Sequence, residues 1–343
     1  MQRATLIGVA LPNLSIHSPI MKIWCNALFP PESKARLREA LGDHQIIFAD
    51  ETANVPTIGN SIPASDLPAD AEIAFGQPDV TQLVNSAALR WAHLNSAGYT
   101  AYDRDDFRAA FKQQNKILTN SSDVYAEPTA EHAVALVYAM ARQLPQCMTN
   151  QLGERGWPFY PTRAASRLLK GQTVLLLSFG HIARRIAELL APLGMNLVAV
   201  RRRVVGDEPI RVLPESEVDS LLPTADHIIN VLPASAETKN FLNAERFKQV
   251  KPGAILYNVG RGTTVDQAAL REALLSGRLA AAYLDVTEPE PLPPDDPMWT
   301  TPNCFITPHS GGGHSDEMER LVDHFLENFR RFADGQELLN RVA

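Results

Sequence analysis

The second half of the chain alternates short apolar runs with longer amphipathic segments. Six such runs lie at 173–177, 196–200, 227–232, 254–257, 281–286 and 304–307. Most of the intervening segments are long enough for a helix, so the alternation predicts parallel strands joined by right-handed crossover helices. Four further runs, at 21–26, 45–49, 71–76 and 91–96, predict a smaller α/β unit in the first half.

Helical periodicity marks several of the connecting segments. A helix with capping signals is predicted over 30–42, and an amphipathic helix over 315–335. A long helix is predicted from about residue 128, because Pro128 suits a first helical turn. The segments 50–70 and 151–163 lack a clear period and are predicted to be loops.

Composition narrows the classes of function. The net charge of −7 argues against a general nucleic-acid or membrane-surface role. Three widely spaced cysteines without a Cys-x-x-Cys pair favour a reducing compartment and indicate no metal site. No window approaches the roughly 18 apolar residues of a membrane span, and the first 20 residues read as an extension rather than a signal peptide. A cytoplasmic protein is therefore expected.

The stretch "TVLLLSFGHIARRIAELLAPLGMNLVAVRRR" (173–203) predicts a strand, a turn, a helix and a second strand. Such a unit binds a dinucleotide when its turn reads Gly-x-Gly-x-x-Gly. Here Ser178, Gly180 and Ala183 occupy the three positions, and all three are small. Gly180 keeps the middle position, where backbone must approach a pyrophosphate at the helix N-terminus. The alternative is an ordinary βαβ unit that binds nothing.

Arginine replaces the acidic residue expected after the second strand of this unit. Arg201 lies 21 positions after Gly180, and Arg202 and Arg203 follow it. A carboxylate there would bind the ribose 2′-hydroxyl, whereas a guanidinium can pair with a 2′-phosphate. The sequence therefore predicts NADP(H) in preference to NAD(H). The alternative is a solvated charge run at a strand end.

Candidate reactive residues follow three later strands. Arg261 lies in "ILYNVGRGTTVD" (255–266), Asp285 and Glu290 lie in "AAYLDVTEPEPLP" (281–293), and His309 lies in "CFITPHSGGG" (304–313). Ligands of open parallel sheets bind beyond the carboxyl ends of the strands. Taken singly, each residue has an ordinary explanation, such as a surface ion pair or a turn. Glu288 is a competing acid two positions before Glu290.

The chain resembles the D-isomer-specific 2-hydroxyacid dehydrogenase family over about residues 71–335. Seven segments appear in the family's order: "SAGY" (96–99), "AEPTAEH" (126–132), "SFGHIARRIAELLAPLGM", "NVLPASAET" (230–238), "NVGRGTTVD", "LDVTEPEPLP" and "TPHSGGG". Arg261, Glu290 and His309 match the family's catalytic Arg, Glu and His. Glu290 is preferred to Glu288 because the family's acid stands five residues after the Asp, here Asp285.

The resemblance implies an α/β fold of two domains. A Rossmann-type, doubly wound parallel sheet is expected over 120–308, inserted in a smaller flavodoxin-like α/β substrate domain built from 1–119 and 309–343. Closure of the two domains around cofactor and substrate is expected to exclude water. Family members are commonly dimers through the cofactor domain, so a homodimer is expected, with 151–163 as the contacting arm.

The resemblance also assigns residues to ligands. Backbone groups of Ser96, Ala97 and Gly98, with the Arg261 side chain, are expected at the substrate carboxylate. The expected cofactor-binding residues are Gly180, His181, Ile182, Arg201, Arg202, Val259, Gly260, Arg261, Asp285, His309, Gly311 and Gly312. Departures from the family pattern are Ser178 and Ala183 in place of glycines, and Asp296 where many relatives carry His.

The chemistry expected is hydride transfer between NAD(P)H and a small 2-oxo acid of the glyoxylate or hydroxypyruvate type. Arg261 offers a planar fork for the carboxylate and carbonyl oxygen. His309 can donate or accept a proton near neutral pH, and Glu290 would favour its charged form. The rival hypothesis is a regulatory protein that senses NAD(P)(H), as the family's transcriptional corepressors do. The intact Arg–Glu–His set favours the enzyme.

Overall fold

The structure is a computed structural model that describes residues 19–49 and 66–343. Most of the predicted loop 50–70 and nearly all of the N-terminal extension therefore lie outside the described residues. The chain divides into two compact units. One comprises the described part of Met1–Ser96 with Asp105–Ser121 and Met318–Ala343, and the other comprises Ala97–Arg104 with Ser122–Glu317. The domain limits expected from the sequence, 1–119 with 309–343 and 120–308, stay a prediction.

The first unit is built on a parallel five-stranded sheet with the order β2-β1-β3-β4-β5. Its strands are β1 (Lys22–Cys25), β2 (Gln45–Phe48), β3 (Ile73–Gly76), β4 (Trp91–Leu94) and β5 (Ile117–Thr119). Its helices are α1 (Pro31–Leu41), α2 (Val80–Asn85), α3 (Asp105–Gln113) and, near the C-terminus, α11 (Glu317–Ala333), of which Glu317 belongs to the other unit. The strand order is that of flavodoxin-like folds, as predicted.

Aromatic packing joins the last helix to this sheet. The Phe325 ring stacks on Phe75 with centroids 4.2 Å apart, and on Trp91 at 5.4 Å. All three side chains are almost completely buried. The amphipathic pattern of 315–335 therefore packs as predicted, although it lies far along the chain from the strands it covers.

The second unit contains a parallel seven-stranded sheet with the order β12-β11-β10-β9-β6-β7-β8. Its strands are β6 (Thr173–Leu177), β7 (Asn196–Arg201), β8 (Arg211–Pro214), β9 (His227–Asn230), β10 (Ala254–Asn258), β11 (Leu279–Leu284) and β12 (Cys304–Ile306). The order reverses between β6 and β9, which is the Rossmann switch point where dinucleotides bind. The predicted Rossmann-type sheet is confirmed.

Helices cover both faces of this sheet. The helices of this unit are α4 (Ser122–Ala141), α5 (Leu144–Leu152), α6 (Phe159–Ala165), α7 (His181–Leu190), α8 (Val218–Leu221), α9 (Ala244–Gln249) and α10 (Gln267–Leu275). One core cluster lies on each side, around Leu256 and around Tyr257, consecutive residues that point to opposite faces of β10. In the part of the chain that the structure describes, every helix is too short or too polar to cross a bilayer.

Three expectations about single elements were wrong or incomplete. Helix α4 begins at Ser122 and contains Pro128 in its interior, so the helix accepts the loss of one backbone hydrogen bond there. The segment 151–163, expected to be loop, includes the end of α5 and most of α6. These two helices bury no residue, so no buried apolar face marks them in the sequence. The short strands β5 and β8 were not predicted.

Candidate active site

The turn after β6 presents a helix N-terminus without a capping side chain. Gly180 precedes α7 in an extended conformation, and a Cβ added to Gly180 would meet only open space. The first N–H groups of a helix need outside partners, and an anion meets that need. Ala183 is fully buried against the sheet, as a small residue at the third position allows. This end of α7 therefore fits a dinucleotide pyrophosphate.

His181 and Ile182 begin α7 at that same end. His181 Nδ1 lies 2.7 Å from Asp123 Oδ1, and this hydrogen bond raises the pKa of His181 although burial opposes the shift. The hydrogen bond therefore favours the protonated imidazole beside the helix N-terminus, where the Asp123 carboxylate offsets its charge. Ile182 is partly buried and packs against the core. The ion pair with Asp123 was not predicted, because the partner lies 58 residues earlier.

Ser178 takes a backbone conformation that favours glycine. Its φ is +92°, in a region where an L side chain is strained by about 1–3 kcal/mol. Small size alone therefore does not make serine equivalent to the first glycine of the Gly-x-Gly-x-x-Gly pattern. The turn keeps its shape at a cost in stability.

Arg201 ends β7 but is already engaged by an acid. Its Nη1 lies 3.3 Å from Glu208 Oε1, and Glu208 also accepts hydrogen bonds from the N–H groups of Val205 and Gly206. The hydrogen bond from Val205, with that from Gly206 and the charge of Arg201, lowers the pKa of Glu208 although burial opposes the shift. Arg202 next to it is exposed. No sequence pattern pointed to Glu208.

The predicted reactive residues lie just after three adjacent strands. β10, β11 and β12 are neighbours in the sheet, and Arg261, Asp285 and His309 follow their carboxyl ends in that order. Parallel strands place these ends at the same edge. The structure therefore brings together residues separated by up to 48 positions in the sequence.

His309 and Glu290 form a direct pair. His309 Nδ1 lies 2.9 Å from Glu290 Oε2, and a carboxylate only accepts, so Nδ1 carries the proton. This hydrogen bond raises the pKa of His309 although burial opposes the shift. Burial disfavours the charged form of Glu290, but the bonds from His309 and from the Thr287 N–H outweigh it and lower its pKa. The pair leaves His309 Nε2 for proton transfer.

Arg261 lies in a confined position beside Gly98. Burial lowers the pKa of its guanidinium, and Nη1 donates to the Gly260 carbonyl at 2.7 Å. A side chain at position 98 would collide with Nη2. Of the other residues expected at the substrate, Ala97 belongs to the same unit, whereas Ser96 belongs to the first unit. There, Ser96 Oγ accepts a hydrogen bond from Gln77 Nε2 at 2.8 Å.

Asp285 holds the turn that carries His309. Its Oδ1 accepts hydrogen bonds from Thr307 Oγ1 at 2.7 Å and from the Ser310 N–H at 3.0 Å, and the N–H of Gly311 reaches both oxygens. The His309 N–H donates to the Asp285 carbonyl at 2.8 Å. His309 itself has φ +50°, so these bonds stabilise a strained residue.

Three of the residues expected at the nicotinamide are glycines in close contact with their neighbours. A Cβ on Gly260 would meet the Leu232 backbone, one on Gly311 would meet Asp285, and one on Gly312 would meet Tyr125. Val259, next to Gly260, is buried. The glycines therefore serve close packing as well as any contact with a ligand.

One further ionisable residue near Asp285 was not assigned a role. His132 Nε2 lies 3.7 Å from Asp285 Oδ1, and it belongs to the segment "AEPTAEH" that carried the resemblance. Its side chain also approaches Thr307 Oγ1 at 3.5 Å. The motif was the only sequence signal for this histidine.

Comparisons with known proteins agree with this geometry. The sequence profile described as D-isomer specific 2-hydroxyacid dehydrogenase, NAD binding domain, matches residues 134–311, just over half of the chain. A glyoxylate/hydroxypyruvate reductase B from Pectobacterium atrosepticum is 30% identical over 296 residues, which are 82% of this chain and 89% of that one.

Solved structures of other proteins are similar to this chain over nearly its whole length. A D-isomer specific 2-hydroxyacid dehydrogenase from Xanthobacter autotrophicus, in complex with NADPH and MES, aligns with a TM-score of 0.76 at 25% identity. The alignment covers 94% of this chain and 98% of that chain. An NADPH-dependent glyoxylate/hydroxypyruvate reductase from Sinorhizobium meliloti aligns at 0.69 and 25% identity, covering 95% and 97%. The chain therefore belongs to the D-isomer-specific 2-hydroxyacid dehydrogenase family and is an NAD(P)-dependent enzyme of that class.

Proposed function

We propose that this enzyme reduces small 2-oxo acids of the glyoxylate or hydroxypyruvate type, with NADPH preferred to NADH. The observation that carries the proposal is the His309–Glu290 pair, which lies at the same sheet edge as Arg261. The reductases from Pectobacterium and Sinorhizobium support the substrate class, since their names state glyoxylate and hydroxypyruvate.

Each of the three residues has one task in this proposal. Arg261 binds the substrate carboxylate and the carbonyl oxygen through its fork of N–H donors. His309 donates the proton on Nε2 to the carbonyl oxygen, and it recovers that proton in the reverse direction. Glu290 keeps the imidazole protonated and oriented through Nδ1. The bound cofactor supplies the hydride.

Remaining contacts are assigned to backbone and to positive charge. Ser96, Ala97 and Gly98 would add backbone N–H donors to the substrate carboxylate. The N-terminus of α7, with Gly180, His181 and Ile182, would bind the pyrophosphate. The residues assigned to the nicotinamide half are Val259, Gly260, Asp285, Gly311 and Gly312.

Initial rates of NADPH and NADH oxidation with glyoxylate, hydroxypyruvate, pyruvate and 2-oxoglutarate test the proposal. We expect turnover with the first two acids and a higher kcat/KM with NADPH. Tight cofactor binding without turnover on any of the four acids would contradict the assigned substrate class. A preference for NADH would contradict only the cofactor assignment.

Arg202→Ala tests the cofactor preference directly. Because Glu208 already engages Arg201, we assign the main contact with the 2′-phosphate to the exposed Arg202. Loss of one charge-assisted hydrogen bond, worth about 1.5–3 kcal/mol, should raise the Kd of NADP⁺ by roughly 10- to 100-fold. The Kd of NAD⁺ should not change, because NAD⁺ lacks the phosphate. Both constants are measured by calorimetry.

Arg211→Ala is the matched control for that variant. Arg211 is also exposed, but it pairs with Val198 early in β7, away from the carboxyl ends of the strands. It should leave both dissociation constants unchanged. Equal losses of NADP⁺ and NAD⁺ affinity in Arg202→Ala would show that Arg202 acts on the fold rather than on the phosphate.

We further propose that the enzyme is a homodimer that pairs through the arm 151–163 and the residues on either side of it. Large apolar side chains are exposed there, namely Met148, Leu152, Trp157, Tyr160 and Leu168, with Trp157 91% exposed. An apolar patch of this kind marks an interaction surface. Trp157→Glu would place a charge in the interface, so light scattering should give the mass of two chains before the substitution and of one chain after it.

Trp299→Glu provides the control for dimerisation. Trp299 is also partly exposed, but it lies on a different segment and donates its Nε1–H to the Pro293 carbonyl. This variant should keep the mass of two chains. A single-chain mass for the unaltered protein would contradict the homodimer.

A further inference from the structure

The backbone of residues 287–289 fixes the position of Glu290. The Thr287 N–H donates to Glu290 Oε1 at 2.9 Å, and Thr287 Oγ1 donates to the Pro289 carbonyl at 2.9 Å. Glu290 Oε2 then accepts from His309. A shift of this backbone segment would therefore move the carboxylate away from the imidazole.

Gln267 holds that segment from outside through both ends of its amide. Its Oε1 accepts the Glu288 N–H at 2.8 Å, and its Nε2 donates to the Glu288 carbonyl at 2.7 Å. Both contacts go to backbone, so the exposed Glu288 side chain takes no part. A two-point bond of this kind fixes a residue in position and orientation, as a neighbouring strand does.

Gln267 is itself anchored on a rigid element. It is the first residue of α10, and the preceding Asp266 caps this helix by accepting the Ala269 N–H at 3.0 Å. The segment is also held by close packing, because a Cβ on Gly262 would overlap the Thr287 carbonyl. The loop that carries the acid is therefore fixed to α10 and to the turn after β10.

We propose that Gln267 is a positioning residue of the reduction, which keeps Glu290 in contact with His309 by holding the backbone of Glu288. The proposal rests on the acid–base pair assigned above. Gln267 acts through Glu290 and touches neither reacting group. Its loss should therefore change proton transfer and leave the binding of cofactor and substrate as it is.

Gln267→Ala tests this role through the pH profile of kcat. Reduction needs protonated His309, so activity falls as pH rises through the pKa of this residue. The bond to Glu290 raises that pKa, and a misplaced Glu290 should return it toward its ordinary value of about 6.5. We therefore expect the alkaline limb of the profile to move to lower pH, with kcat about tenfold lower and KM unchanged.

Two further variants complete the test. Gln267→Glu keeps an acceptor for the Glu288 N–H but loses the donor, so its profile should lie between those of the unaltered enzyme and Gln267→Ala. Gln249→Ala removes a glutamine at the end of α9 whose side-chain amide donates to the Glu245 carbonyl of its own helix at 3.4 Å. It should match the unaltered enzyme in both kcat and pH profile.

The outcomes separate this proposal from the proposed function. An unchanged pH profile and kcat in Gln267→Ala, together with an inactive His309→Asn, would overturn the role of Gln267 and leave the acid–base pair standing. Full activity in His309→Asn would overturn both. A lower melting temperature with an unshifted pH profile would show that Gln267 serves stability alone.

Discussion

Replacing His309 by asparagine is expected to lower kcat for 2-oxo acid reduction by about 10²–10⁴-fold, the usual contribution of a general acid. Asparagine tolerates the positive φ of residue 309 better than alanine does, so the turn should keep its shape. Steady-state rates with saturating NADPH measure the loss. The Kd of NADPH, followed by fluorescence, should stay within a few-fold of the original, because the side chain acts on the proton.

Two glutamate substitutions, at positions 290 and 288, provide a matched comparison for this prediction. Glu290→Gln removes the negative charge beside His309 and should lower both kcat and the pH at which reduction declines. Glu288→Gln alters an exposed acid two positions away and should change neither. Equal effects of the two substitutions would contradict the assignment of Glu290, and near-normal rates in His309→Asn would contradict that of the histidine.

Arg261→Lys is expected to lower kcat/KM for glyoxylate by roughly 10²–10³-fold. A lysine keeps the charge but lacks the planar fork that binds a carboxylate at two points, and breaking a buried charged contact costs about 2–5 kcal/mol. Most of the loss should fall in KM, since Arg261 binds the substrate before and during the reaction. Full kinetic curves over a wide range of glyoxylate separate the two constants.

Arg271→Lys makes the same chemical change on the partly exposed face of α10. It should leave kcat/KM within about twofold, as surface substitutions usually do. If Arg261→Lys also stays within that range, another residue binds the carboxylate. If its loss falls entirely in kcat, Arg261 acts only on the developing charge of the carbonyl oxygen.

The predictability of this fold from sequence depended on the length of each apolar run. Strands β6 and β9 are buried along most or all of their length and follow clear apolar runs, so they were predicted. Strand β8 is only partly buried and begins with the exposed Arg211, and β5 has three residues. Neither offers a window in which apolar periodicity is visible.

Some residues of the candidate site were also predictable from the sequence, and others were not. Arg261, Glu290 and His309 were found because each lies just after a strand and within a recognisable motif. The partners Glu208 and Gln267 were missed, although they determine how Arg201 and Glu290 are held. Their contacts join residues 7 and 21 positions apart through loops, and side-chain directions in loops do not follow from a pattern of apolar and polar residues.

Two residues of the second unit, Ser178 and His309, have strained backbone, but substitution can remove the strain at only one of them without loss of the proposed activity. Both have positive φ, so glycine would relieve backbone strain at either position. At position 309 this substitution would remove the imidazole, and the reaction would be lost. Nothing in the proposed chemistry uses the Ser178 hydroxyl. Ser178→Gly would therefore remove backbone strain without loss of the reaction, and this single change could raise stability in a lineage that adapts to a hotter habitat.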